Sequence, residues 1–222
     1  MVSFGEIYDA AVMVRGKDTL ESRLQTPLTG QQLAKLTNAY FLSTMSRRIF
    51  RAGLRHSMVD KKWPHFEKVF DGFEPGSVRM MSDDDLDRLM QDRGLIRHWG
   101  KLRAVRENAQ VMHDMQDENA GFGAFLADWR SSNIVSLWRK LRMNFTQLGG
   151  NSAPYFLRMV GKDTFLLTND VLKALGYWGV YEGSGRSIAD REYLQGCFNQ
   201  WAGESDRPLC QLSQIMALSL DC

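Results

Sequence analysis

Two adjacent glycines, Gly149-Gly150, stand between two stretches of helical periodicity and limit the fold more than any other feature of the chain. Glycine lets a backbone turn tightly and approach a ligand closely. Asn151 and Ser152 follow as residues able to cap a new helix, whose apolar face is Tyr155, Phe156, Met159 and Val160. Gly161 stops that helix, and an apolar approach, Phe165-Leu166-Leu167, leads to Asn169-Asp170. A hairpin of this kind offers free N–H groups and the positive end of a helix dipole to an anion. It is equally the form of an ordinary turn between antiparallel helices.

The rest of the chain repeats helical punctuation, and alternating strand patterns are nearly absent. Helical periodicity is expected over 3–14, 31–36, 56–70, 96–117, 122–129, 133–143, 187–202 and 208–219. Asn38 is expected to cap a further helix carrying Phe41, Met45 and Ile49, ended by Gly53. Pro64 fits a first helical turn, so the 56–70 helix is expected to be interrupted or restarted there. Ser82, with Asp85 three residues on, is a capping box, and the acids at 83–85 complement a helix dipole rather than mark a metal site. Residues 177–186 are turn-rich and expected to be exposed. The fold class is therefore all-α. A chain of 222 residues suits one compact unit, of one lobe or two, with an ample core.

Net charge is only +2, yet the bases cluster. Arg93, Arg97, Lys101, Arg103 and Arg106 have no acid among them, nor do Arg47, Arg48, Arg51 and Arg55. Arg139, Lys140 and Arg142 lead into the hairpin. Such sidedness suits a phosphate backbone, although any single cluster reads as well as a solvated helix face. Asp170 is the candidate acid, partly buried behind its apolar approach, or else a cap for a helix beginning at Val171. His56, His65, His98 and His113 sit at no metal-ligand spacing with a cysteine or acid, so no metal is expected. Cys197, Cys210 and Cys222 are odd in number and scattered, which gives no disulfide framework. No apolar run approaches the roughly 18 residues that span a bilayer, and the first residues lack the regions of a signal peptide. A cytoplasmic protein without membrane contact is expected.

Several stretches together resemble the DNA-3-methyladenine glycosylase I family, within the helix-hairpin-helix DNA glycosylases. They are Arg51-Ala52-Gly53-Leu54, Lys62-Trp63-Pro64 with Phe66, the run from Phe70 to Pro75, and Gly94-Leu95-Ile96-Arg97-His98 with Gly100-Lys101. Asn108-Ala109 and the hairpin through Tyr155-Phe156 to Asn169-Asp170 complete the set, which spans about 40 to 170. The resemblance implies two helical lobes with a cleft between them, formed by 1–222 as a single glycosylase unit. The hairpin motif would occupy about 135–161, and the N- and C-terminal helices would share one lobe.

It also implies a DNA repair enzyme of base excision repair that flips an alkylated purine, 3-methyladenine foremost, out of double-stranded DNA. Water then replaces the N-glycosidic bond. Because 3-methyladenine is cationic while attached, it leaves readily, and recognition matters more than acid catalysis. In this scheme Gly149, Gly150 and Ser152 hold a phosphate, with Arg97 and Lys101 on flanking phosphates. Asp170 matches the superfamily's catalytic aspartate and serves the sugar. Asn151 and Ser152 occupy the hairpin position where lyase-type relatives carry lysine, so a monofunctional, monomeric enzyme without cofactor is expected.

The chain also departs from the family. The better-studied branch has a zinc site built from cysteines and histidines at both ends; here the N-terminus has neither, and Cys197 has no histidine beside it. That branch has a glutamate and a tryptophan about the Ala-Gly-Leu segment, lining the base pocket; aligned on it, this chain has Arg48 and His56. An arginine repels a cationic base, so either the pocket is built differently or Arg48 turns toward phosphate. Phe4, Tyr8 and Tyr40 are candidates for stacking on the base, with core packing as the alternative for each. A DNA-lesion-binding module that has lost excision, and a helical protein–protein adaptor, are the rival readings.

Overall fold

The computed structural model describes residues 2–118 and 121–220; Cys222, the third cysteine, lies outside them. In chain order the helices are α1 (Phe4–Arg15), α2 (Lys17–Arg23), α3 (Gly30–Ala34), α4 (Asn38–Arg51), α5 (His56–Val69), α6 (Pro75–Val78) and α7 (Asp83–Gln91). There follow α8 (Trp99–Glu118), α9 (Phe122–Asp128), α10 (Ile134–Asn144), α11 (Ser152–Met159), α12 (Asn169–Tyr177), α13 (Ile188–Ser205) and α14 (Leu209–Leu218). No described residue lies in a β-strand, as expected of an all-α chain.

The helices group into two compact units. One comprises Met1–Leu28, Arg130–Leu137 and Gly161–Cys222, and the other Thr29–Trp129 and Trp138–Val160. In the second unit α4 is central, packed against α5, α8 and α11. Its helix starts one residue earlier than expected. Thr37, not Asn38, is the cap, its Oγ1 accepting from Tyr40 N at 3.1 Å. Asn38 instead accepts from Phe122 N at 3.0 Å, at the start of α9. Phe41, Leu42, Met45, Ile49 and Phe50 are buried along α4.

The α5 helix runs unbroken through Pro64, contrary to the expected interruption. A proline inside a helix costs about 3 kcal/mol or more. The offset is visible in the stack of Trp63 on Phe66 (4.9 Å) and Phe73 (5.4 Å), continued by Phe70 against Phe73 (5.3 Å). Each such pair adds roughly 0.5–1.5 kcal/mol beyond its burial. The Ser82 capping box on α7 forms as expected, with Asp85 bonded to Ser82 N and Oγ.

In the first unit α1 packs on α14 and α13. Ser3 and Glu6 form a capping box on α1, and Glu204 on α13 accepts from Phe4 N at 2.9 Å. Trp201 Nε1 donates to Val2 O, and Phe198 stacks on Phe165 with centroids 4.4 Å apart. The α14 helix has Pro208 at its cap position, which offers no side-chain acceptor. Asp163 supplies the cap from elsewhere in the chain, its two carboxylate oxygens accepting from Leu209 N and Cys210 N.

Candidate nucleic-acid interface

The hairpin is an exposed tip on a fixed base. Leu148 before it and Ala153 after it are buried, while Gly149 and Gly150 are exposed. Gly150 has φ +58, a left-handed conformation that glycine adopts without strain. Gln147 is also left-handed (φ +65), and its Nε2 donates to Gly100 O at 3.0 Å, which ties the turn to the start of α8. Ser152 N donates to Gly149 O at 3.0 Å and opens α11. No side chain caps α11, although Asn151 stands at the cap position, and Ser152 is buried. The glycine backbone and the helix start therefore remain the anion-directed features of the turn.

A second feature lies at the C-terminal end of α4. Arg48, Arg51, Arg55, His56 and Tyr155 line a pocket of about 490 Å³ with residues 52–54. The Arg48 guanidinium lies over the Tyr155 ring, 4.7 Å from its centroid. Its Nε is buried without a hydrogen-bond partner. Burial lowers the Arg48 pKa, and neighbouring Arg51 lowers it further; an arginine nonetheless stays protonated in proteins. Arg51 is held from behind by Asp60, with contacts of 2.7 and 3.0 Å, and Arg47 reaches the same carboxylate at 2.9 Å. Burial works to raise the Asp60 pKa, but Arg51 and Arg47 hold it below the usual value.

Lys101 departs from expectation. Its side chain is buried, and Nζ donates to Ala52 O at 2.8 Å and Phe50 O at 3.4 Å. It satisfies carbonyls at the C-terminal end of α4, which the helix itself leaves unpaired, and so does not present its charge to solvent. Burial lowers its pKa, with Arg48 adding to the effect. Arg97 is exposed. The loop before it is anchored by Lys62 Nζ, which donates to the carbonyls of Arg93, Gly94 and Leu95 at 2.7–3.3 Å. His98 accepts from Lys101 N at 3.3 Å at the start of α8.

Asp170 is in the first unit, in the first turn of α12. Thr168 caps that helix, accepting from Val171 N at 3.2 Å, so neither Asn169 nor Asp170 is needed as a cap. Asp170 is exposed rather than partly buried, and its carboxylate stands at the positive start of α12.

The five residues expected around the base fall in different surroundings. Phe4 and Tyr8 belong to the first unit, and Tyr40, Arg48 and His56 to the second. Phe4 is a core residue, packed against Trp201. Tyr8 donates to Glu21 at 2.7 Å and has Arg207 over its ring at 4.9 Å, so its polar end and one face are taken. Tyr40 is 43% exposed. It lies eight residues before Arg48 on α4, roughly 12 Å along the axis, and does not line the pocket. Only Arg48 and His56 come together, joined by Tyr155, Arg51 and Arg55. The pairing of Arg48 with Tyr155 had no local sequence signal, since Tyr155 read simply as part of an apolar face.

Among the described residues no group of three or more histidines, cysteines, aspartates and glutamates is placed to hold a metal ion, and Cys197 and Cys210 are buried and in no disulfide. No helix among the described residues is long and apolar enough to cross a membrane.

Residues 36–148 match the family described as methyladenine glycosylase. The DNA-3-methyladenine glycosylase 1 of Escherichia coli (strain K12) is 37% identical over 76 residues, 34% of this chain. The match spans 41% of that relative's length. The 3-methyladenine DNA glycosylase I of Staphylococcus aureus superposes with a TM-score of 0.51 at 22% identity, covering 68% of this chain and 91% of its own. The 8-oxoguanine DNA glycosylase of Methanocaldococcus jannaschii superposes with a TM-score of 0.57 at 15% identity, covering 95% and 89%. At these identities the two solved structures establish a shared helical fold.

Proposed function

The chain belongs to the methyladenine glycosylase family, and on that premise we propose that it is a DNA repair enzyme that excises an alkylated purine from double-stranded DNA by hydrolysis. 3-Methyladenine, the base for which its relatives are named, heads the panel to be assayed. The observation that carries the reading is the exposed Gly149-Gly150 tip, buttressed by buried residues on both sides. A rigid glycine turn at an uncapped helix start is suited to grip a phosphate, and Arg97 is an exposed cation for a flanking one.

In the proposed reaction the water oxygen bonds to C1′ as the C1′–N bond breaks toward the base. The bonding electrons leave with the base, and the proton released by the water passes to base or solvent. Positive charge develops on the sugar, and Asp170 is the carboxylate proposed to stabilise it. Tyr40 is the exposed aromatic among the residues expected to stack on a base. With no lysine at the hairpin, the enzyme is proposed to use water alone, as a monomer, with residues 1–222 acting as one unit.

The test is base release from duplexes carrying 3-methyladenine, 7-methylguanine or hypoxanthine, by the wild type and Asp170→Asn. Release of a modified purine that the variant loses supports the proposal. Tight binding to abasic-site DNA with no release from any duplex supports a lesion-binding module instead.

A further inference from the structure

We propose that the pocket between the end of α4 and the start of α11 is a phosphate-binding site centred on Arg48, which takes a DNA backbone phosphate next to the one held by the hairpin. Its lining carries three guanidiniums and an imidazole but no carboxylate. The carboxylate nearest in the network, Asp60, is shared between Arg47 and Arg51 and leaves a cationic surplus. Lys101, bonded to Ala52 O beneath the pocket wall, adds a further cation. The Arg48 Nε–H is buried with no acceptor, and an unsatisfied donor of this kind is costly.

The start of α5 points the same way. No side chain caps that helix, its first turn has no acid, and Arg55 and His56 stand where a helix dipole favours negative charge. An anion in the pocket would offset that arrangement. A base suits the pocket less well. Its one aromatic, Tyr155, already has the Arg48 guanidinium over its ring, which stiffens the arginine fork and covers a face that a purine needs for stacking. A stacked, oriented guanidinium is well matched to phosphate oxygens. The volume of about 490 Å³ leaves room for a phosphodiester with its sugar.

Position supplies the source of the phosphate. Tyr155 lies in the first turn of α11, and its N–H donates to Asn151 O. Pocket and hairpin are thus separated by about one helical turn, roughly 5 Å of rise, comparable to one or two phosphates at about 3.4 Å of axis each along a strand. Arg48 and His56, placed near the base by family alignment, are thereby reassigned to the backbone. That the phosphate comes from DNA rests on the glycosylase reading; the affinity for phosphate does not.

Arg48→Met and, on the exposed rim, Arg55→Ala test this in the full chain, with thermal melts alongside. The probes are inorganic pyrophosphate by calorimetry and duplexes with and without a lesion, titrated between about 50 and 200 mM salt. The wild type is expected to bind pyrophosphate, and Arg48→Met to lose it. Duplex affinity should fall by roughly tenfold for every base alike, and the salt slope should shrink by about one in either variant. The site is overturned if both variants keep the wild-type slope and pyrophosphate affinity. It is also overturned if Arg48→Met reorders lesion preference while undamaged duplex is bound as before, since the pocket would then hold the base. Should Arg48→Met melt too low to remain folded, Arg55→Ala decides alone. Pyrophosphate binding without any duplex affinity sustains the phosphate site and refutes the DNA reading.

Discussion

Asn108 clasps the backbone of Thr146 from both sides: Oδ1 accepts from Thr146 N at 2.7 Å, and Nδ2 donates to Thr146 O at 3.1 Å. Asn108 is fully buried on α8, and Thr146 immediately precedes the left-handed Gln147. A buried carboxamide with both ends engaged fixes register, and removing it strands a backbone donor and acceptor. Asn108→Leu is therefore expected to cost about 2–6 kcal/mol, from two unsatisfied groups at roughly 1–3 each. Asn108→Asp keeps the acceptor and, protonated at acid pH, the donor as well, so there it should cost less. Urea unfolding measures both, and equal costs would contradict the two-sided clasp.

Gly150 is open to solvent on the side where a Cβ would stand, so a substitution meets no neighbour and only backbone strain. With φ +58, Gly150→Ala should lose about 1–2 kcal/mol. If the glycine tip grips phosphate, duplex affinity should fall by more than the stability change explains. Melting curves and duplex titrations separate the two, and an unchanged affinity would remove the tip from the interface.

Asp170→Asn keeps shape and helix start but removes the charge. Single-turnover base release should fall by at least about a hundredfold, the scale expected for one positioned carboxylate or proton-transfer group. Duplex affinity should remain within about twofold, because a carboxylate adds nothing to phosphate binding. Full excision by this variant would remove Asp170 from the chemistry.

Borohydride should trap no covalent adduct between the protein and abasic-site DNA, because Asn151 and Ser152 stand where a Schiff-base lysine would. A band of protein plus DNA mass on a denaturing gel would show lyase chemistry.

The arginine pair on Asp60 sets an acid-side signature. Although burial works the other way, Arg51 and Arg47 hold its folded pKa below the ordinary 3.8. A group depressed on folding contributes stability that is fully present above its unfolded pKa and lost as pH falls through the folded one. The contribution should therefore be complete at neutral pH and disappear below about pH 3.8. Asp60→Asn should lower the melting temperature at pH 7 and flatten its fall below pH 4, as read by calorimetry across that range.

Much of the architecture was legible because helix ends are written locally. Ser82 with Asp85 forms the capping box its spacing announced, and Gly149-Gly150 makes the turn between two helices. Periodicity does not tell which of several nearby polar residues caps: Thr168 displaced Asn169, and Thr37 displaced Asn38. It also says nothing of where a long side chain turns. Lys101 looked like any exposed base, yet it folds inward onto the carbonyls of Phe50 and Ala52. Pro64 stayed inside its helix because aromatic packing, a tertiary effect, outweighs a local rule. The candidate site was hardest to read, since Arg48 and Tyr155 meet across more than a hundred residues of sequence.

The threading of the two units has a consequence for synthesis. Every residue of Thr29–Val160 that builds the second unit has been made before Gly161, whereas the first unit draws α1 together with α13 and α14. On a ribosome, the second unit has its full complement of partners while α1 still awaits helices not yet translated. Its apolar face, Phe4, Ile7 and Ala11, must stay uncommitted through most of elongation. That exposed interval is where a chaperone would find this chain.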